Sequence, residues 1–132
     1  MLKRIDHVGV IVDNLTEAEK FLGEGLGMKK HREIQIPGRL NAAFYTCGEV
    51  QIEVIEVIEP REREARLGSD KARMEHIAIE VDDLSRTMEA LKGLGVKGTA
   101  PEPVRVGANL NVWSDPETTD GYQFQFFQKN AP

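Results

Sequence analysis

The sequence predicts an α+β fold of two tandem βαβββ modules that pair their sheets into one curved mixed sheet. Three observations carry this. First, a strand-like segment is written twice. Ile-Asp-His7-Val-Gly-Val-Ile-Val-Asp-Asn-Leu reappears 69 residues later as Met-Glu-His76-Ile-Ala-Ile-Glu-Val-Asp-Asp-Leu. An internal repeat constrains architecture before any residue is read singly, and two copies at this long period exclude a solenoid. Second, the module ends also match. Val50-Gln-Ile-Glu53-Val-Ile-Glu56 aligns with Tyr122-Gln-Phe-Gln125-Phe-Phe-Gln128 at an offset of 72, apolar on apolar and polar on polar. Third, helix caps and glycine breaks fall at equivalent places in both copies.

Taken in order, residues 5–12 are rich in Ile and Val and read as a mostly buried strand. Asn14-Leu-Thr-Glu17 is a capping-box-like helix start. Ala18, Phe21, Leu22 and Leu26 form an apolar helical stripe, which Gly25 and Gly27 stop. Strands follow at 31–36, 41–47 and 50–58, separated by Pro37-Gly38 and Gly48. The second module predicts a strand at 75–81, a cap at Asp83, and a helix over 84–93 ending at Gly93 and Gly95. It predicts further strands near 96–99, 109–114 and 121–128. The alternating charges between Pro60 and Lys71 predict a solvated linker or short exposed helix. The expected organisation is one domain of residues 1–132, with modules 1–60 and 73–130.

Bulk properties narrow the function. A net charge of −5 supplies no field for nucleic acid or an anionic membrane. No stretch approaches a membrane span, and the N-terminus enters a strand at once without a signal-peptide core. Cys47, the single cysteine, excludes an internal disulfide and fits a reducing cytoplasm. Its expected role is a small buried hydrophobe or a bystander. The expected partners are a small-molecule substrate and a second copy of the chain, because open sheet edges need covering.

The chemistry is expected where the repeat pairs polar residues: His7 with His76, and Glu53 with Gln125. Pseudo-twofold symmetry can bring these four together. Two imidazoles with carboxylate and amide oxygens suit one divalent ion, Co²⁺, Ni²⁺, Zn²⁺, Mn²⁺ or Fe²⁺, with coordination positions left for substrate. An acid on a buried face costs free energy unless paired or metal-bound. Gln51 and Gln123 share the symmetry and the facing, so the repeat leaves them open as ligands. His31 has no counterpart and reads as surface, and Trp113 reads as core before platform. Arg39, Arg105 and Asn109 are weak candidates for contacting an anionic substrate.

Ile5-Asp-His7-Val-Gly-Val, His76-Ile-Ala-Ile-Glu-Val-Asp-Asp-Leu and Asp115-Pro…Gly121-Tyr-Gln-Phe-Gln125 resemble the three signatures of the vicinal oxygen chelate (glyoxalase, bleomycin-resistance, dioxygenase) superfamily. The resemblance spans nearly the whole chain. It is greatest to the methylmalonyl-CoA epimerases, through the long turn Ser114–Gly121 and the loop Glu102–Asn109. It implies the glyoxalase fold and one metal on His7, Glu53, His76 and Gln125. The stretch Gly48-Glu-Val-Gln-Ile-Glu53 matches the family's pattern and selects Glu53 over Gln51. It further implies a metal-dependent isomerase or lyase that enolises a small carbonyl or acyl-CoA substrate, epimerase-like or lactoylglutathione lyase-like, with Glu53 as catalytic base. In these families the last strand usually supplies a glutamate. Here it supplies Gln125, and an amide is no base at neutral pH. Two alternatives are an Fe(II) extradiol dioxygenase on His7, His76 and Glu53, and a non-catalytic drug-binding protein of the bleomycin-resistance kind.

Overall fold

A computed structural model describes all 132 residues. The architecture is α+β, and each repeat is βαβββ as the sequence predicts. The first repeat comprises β1 (Leu2–Val12), α1 (Leu15–Lys20), β2 (Lys29–Ile36), β3 (Leu40–Cys47) and β4 (Val50–Val57). The charged segment forms a helix, α2 (Pro60–Arg66), capped by the Glu59 carboxylate on the Glu62 N–H. The second repeat comprises β5 (Ala72–Val81), α3 (Leu84–Gly93), β6 (Val104–Val106), β7 (Asn109–Trp113) and β8 (Phe124–Gln128). No helix is long and apolar enough to cross a membrane.

Two compact units are formed, one of His7–Glu75 and one of Met1–Asp6 with His76–Pro132. In the His7–Glu75 unit the strands run in the order β2-β3-β4-β1, with β1 and β4 parallel and the other pairs antiparallel. Alternation along the strands gives the sheet two faces. On one, Val12, Leu22, Ala43, Tyr45 and Val54 pack with Leu15 and Ala18 of α1. On the other, Ile11, Ala42, Ile55 and Val57 pack with Leu67, which follows α2 and is 1% exposed. The linker helix therefore closes part of the face that also carries His7 and Glu53.

In the second unit the order is β5-β8-β7-β6, with β5 and β8 parallel. Val81, Leu84 and Phe126 form its core with Ile79, Met88, Leu91, Leu110, Val112 and Phe124, all on the face covered by α3. The expected strand near 96–99 is a single bridge, Gly98 to Ser114. The pairing does not extend past that bridge, since Pro101 and Pro103 carry no N–H to donate, and it resumes after them as β6.

The two units build their helix starts alike. Asn14 Oδ1 accepts from the Glu17 N–H at 3.0 Å, and Asp83 Oδ1 from the Arg86 N–H at 3.1 Å. The next orphan donor is met from the last strand of the same repeat: Leu15 N–H donates to Glu56 at 2.8 Å, and Leu84 N–H to Gln128 at 2.9 Å. Each cap contributes about 1 kcal/mol. Glu56 and Gln128 lie three residues beyond Glu53 and Gln125, so these bonds fix the same register in both copies.

Glu80 anchors the second unit electrostatically. Its carboxylate, 8% exposed, faces Lys3 at 3.4 Å, Arg4 at 3.2 Å and Lys129 at 3.6 Å. Burial alone would raise its pKa, but Lys129, Lys3 and Arg4 outweigh burial and hold the carboxyl below the ordinary value. In the other unit, hydrogen bonding from Arg39 lowers the pKa of Glu62. Depressed carboxylates take up protons first in the unfolded chain. Their stabilisation is full above about pH 5 and is lost as pH falls through and below the ordinary carboxylate range near 4.3. Glu80→Gln is expected to cost about 1–3 kcal/mol at pH 7, discounted for the solvent-facing cations. It should also flatten the acid limb of a pH series of urea unfolding curves. An unchanged acid limb would contradict this assignment.

Candidate metal centre

His7 sits on β1 opposite Gln51 of β4, and Glu53 sits opposite Gly9. Both side chains project from the sheet face that Ile11 and Ile55 share with Leu67. His7 is 5% and Glu53 9% exposed. His7 Nε2 lies 3.4 Å from Glu53 Oε1. A carboxylate this deep requires a partner, and the imidazole is one. The Phe44 ring meets the His7 ring edge-to-face, with centroids 5.2 Å apart at 86°. Phe44 is also Glu53's cross-strand neighbour on β3 and is 2% exposed. The Arg32 guanidinium lies over the Phe44 ring, 4.0 Å from its centroid. Arg32, Phe44 and Glu53 thus form one row across β2, β3 and β4.

Gln51, which alternation places on the same face, has a buried Oε1 with no hydrogen-bond partner. An unmet buried acceptor costs about 1–3 kcal/mol unless something supplies the missing contact. The His7 imidazole and the Glu53 carboxylate on one face fit a divalent cation's demand for N and O donors, and the unmet Gln51 oxygen lies on that same face. The residues of this unit are therefore compatible with the metal that the sequence led us to expect.

The second unit repeats the register. Gln125 of β8 sits opposite Ala78 of β5, as Glu53 sits opposite Gly9. Alternation along β5 sets His76, Ala78 and Glu80 on one face, away from the α3 core. Glu80 is occupied by its three cations. Gln125 Nε2 donates to Asn111 Oδ1 at 2.9 Å. Trp113 is half-buried and pairs with Gln125 across β7 and β8, on the face opposite the core. It occupies the place in the second repeat that Phe44 holds in the first.

The weaker candidates have other engagements. Arg105 donates to the backbone oxygens of Ala108, Ala131 and Pro132. Asn109 Oδ1 accepts from the Asn130 N–H at 3.3 Å. Arg39 pairs with Glu62 at 3.3 Å. Cys47 is exposed at the end of β3, a bystander and not the small buried hydrophobe, and His31 is exposed on β2 as expected. Sequence reasoning missed Phe44, Arg32 and Asn111. The alternation Asn109-Leu-Asn111-Val was the available signal for Asn111, since it sets two amides on the face away from the core.

The family model described as Glyoxalase/Bleomycin resistance protein/Dioxygenase superfamily matches residues 6–112. A lactoylglutathione lyase of Neisseria meningitidis is 32% identical over 132 residues, covering 97% of this chain and 92% of that protein. An uncharacterised protein of Bacillus subtilis, YqjC, is 30% identical over 124 residues, covering 91% and 88%. Among solved structures, methylmalonyl-CoA epimerase from Mycobacterium tuberculosis superposes with a TM-score of 0.80 at 21% identity, covering 99% of this chain and 90% of that one.

Proposed function

Because the chain belongs to the glyoxalase, bleomycin-resistance and dioxygenase superfamily, we propose that it is a divalent-metal-dependent isomerase or lyase acting on a small carbonyl compound or acyl thioester. His7, Glu53, His76 and Gln125 are its metal ligands in this reading. The observation that carries it is the shared register of the two repeats. Glu53 against Gly9 and Gln125 against Ala78 put a donor oxygen at the same place in each copy, beside a small residue. The donor types of His7, Glu53 and His76, two imidazoles and a carboxylate, are those of a divalent-metal group.

A divalent ion held there would polarise a substrate carbonyl oxygen and make the adjacent C–H acidic. The chain's own contribution is proton transfer and positioning. Glu53 is the base. It takes the proton from the carbon next to the carbonyl, and His7, whose Nε2 lies 3.4 Å from the carboxylate, is its co-ligand in this reading. Phe44 and Ile55, both buried, keep that carboxylate away from bulk water. Gln125 carries oxygen without basicity. One base on one face suits a reaction in which the same group removes a proton and returns it to the neighbouring carbon. That favours a lactoylglutathione lyase-like shift over an epimerisation, which needs a proton donor on the opposite face. The enzyme is read as a cytoplasmic homodimer.

Protein loaded in turn with Ni²⁺, Co²⁺ and Zn²⁺ should turn over the methylglyoxal–glutathione adduct faster than it exchanges solvent deuterium into methylmalonyl-CoA. Oxygen consumption with catechols and Fe²⁺ would instead support the dioxygenase reading, which the two-imidazole, one-carboxylate set also suits. No turnover of either carbonyl substrate with any metal would sink the proposal.

A further inference from the structure

Glu53 and Gln125 differ in a way that matters for holding a cation. A carboxylate offers an oxygen whichever way it rotates. A primary amide offers an oxygen on one side and two N–H donors on the other, and the wrong rotamer turns the donors toward the cation. An amide ligand therefore needs something to orient it.

Asn111 supplies that orientation. It is 4% exposed on β7. Its Nδ2 faces two backbone carbonyls, Val104 at 3.4 Å and Asn109 at 3.5 Å. With the nitrogen turned that way, Oδ1 points toward β8, where it accepts the Gln125 Nε2–H at 2.9 Å. Polarity thus passes from fixed backbone carbonyls, through the Asn111 amide, to the Gln125 amide. Gln125 Oε1 is left on the far side of its own amide. The repeat supplies a control. Asn111 pairs with Phe127 as Ala42 pairs with Ile55, so Ala42 is the equivalent of Asn111. The repeat whose ligand position holds a carboxylate has alanine at this place, and the repeat that holds an amide has asparagine.

We propose that Asn111 is a positioning residue that locks the Gln125 side chain with its oxygen, and not its NH₂, presented for a divalent cation. This rests on the reading of Gln125 as a ligand. It also explains how glutamine stands at that position without turning a donor toward the ion.

The test is a double-mutant cycle read by Co²⁺ titration of the metal-free protein. Asn111→Ala is expected to weaken Co²⁺ binding roughly 10- to 100-fold, the usual effect of removing a group that orients a ligand. In the Gln125→Glu background, the same substitution should change affinity by less than about 3-fold, because a carboxylate needs no orienting. Asn111→Leu, which keeps the buried volume, should reproduce both results and guards against a packing artefact. Equal losses in the two backgrounds, or no loss in either, overturn the proposal while leaving the metal reading intact. Wild-type protein that binds no Co²⁺ would fail the metal reading itself. The lock is then decided by NMR of the metal-free protein. The Gln125 side-chain NH₂ should exchange slowly in wild type and rapidly in Asn111→Ala, and fast exchange in wild type would overturn it.

Discussion

Glu53→Gln is expected to lower turnover of the carbonyl substrate by roughly 10²–10⁴-fold, the range that general base catalysis contributes. The substitution is nearly isosteric. A glutamine at this place can still pair with His7 across the 3.4 Å that separates the ring from the carboxylate. Folding should therefore survive, and urea unfolding should move by less than about 1.5 kcal/mol. What disappears is the only carboxylate among the four proposed ligands. With Gln125 already an amide, no carboxylate base is left in the set. The same variant should bind a divalent ion more weakly, since charge at the ligand is lost, so the rate must be measured at saturating metal. Turnover within 10-fold of wild type under that condition would show that the proton is moved by another group.

Phe44→Ala is expected to be the most destabilising single change in this unit, by about 3–5 kcal/mol, because it empties a fully enclosed aromatic site. Three neighbours lose a partner together. His7 loses its edge-to-face contact, Arg32 loses the ring beneath its guanidinium, and Glu53 loses its cross-strand cover. Phe44→Leu keeps most of the volume and should cost only about 1–1.5 kcal/mol. It should nonetheless weaken metal binding, because the His7 ring is freed to turn. Arg32→Ala should cost no more than about 1 kcal/mol, the value of an exposed cation–π pair. Chemical denaturation of the three variants gives the order directly. A Phe44→Ala cost below that of Arg32→Ala would contradict the packing described for this face.

The fold was legible because the duplication survives as a pattern. Two offsets, 69 residues for the first strand and 72 for the last, specified which residues would be equivalent. The structure bears out the correspondence in backbone register, with Gly9 against Glu53 and Ala78 against Gln125. The caps from Glu56 and Gln128 repeat it independently. Alternation also placed Gln51 and Glu53 on one face, as found. The irregular parts were not legible. The strand expected near 96–99 is only the bridge at Gly98, and β6 forms only after Pro103, because Pro101 and Pro103 interrupt the pairing in between. Helix α2 brings Leu67 into the core from a segment whose charges alone suggested solvent. The Arg32–Phe44–His7 stack and the Asn111 lock lay beyond local reading for another reason. Each depends on which strand neighbours which, and on side-chain polarity across that pair, and a one-dimensional pattern encodes neither.

A metal centre built from repeat-equivalent residues must bind one divalent ion in solution. Titration of chelator-treated protein with Co²⁺, followed by its visible absorption and by metal analysis, tests it most directly. One ion per chain is predicted for wild type, with stoichiometric binding lost in His7→Ala and in His76→Ala. Absence of binding in wild type, or binding that both histidine variants retain unchanged, would contradict it.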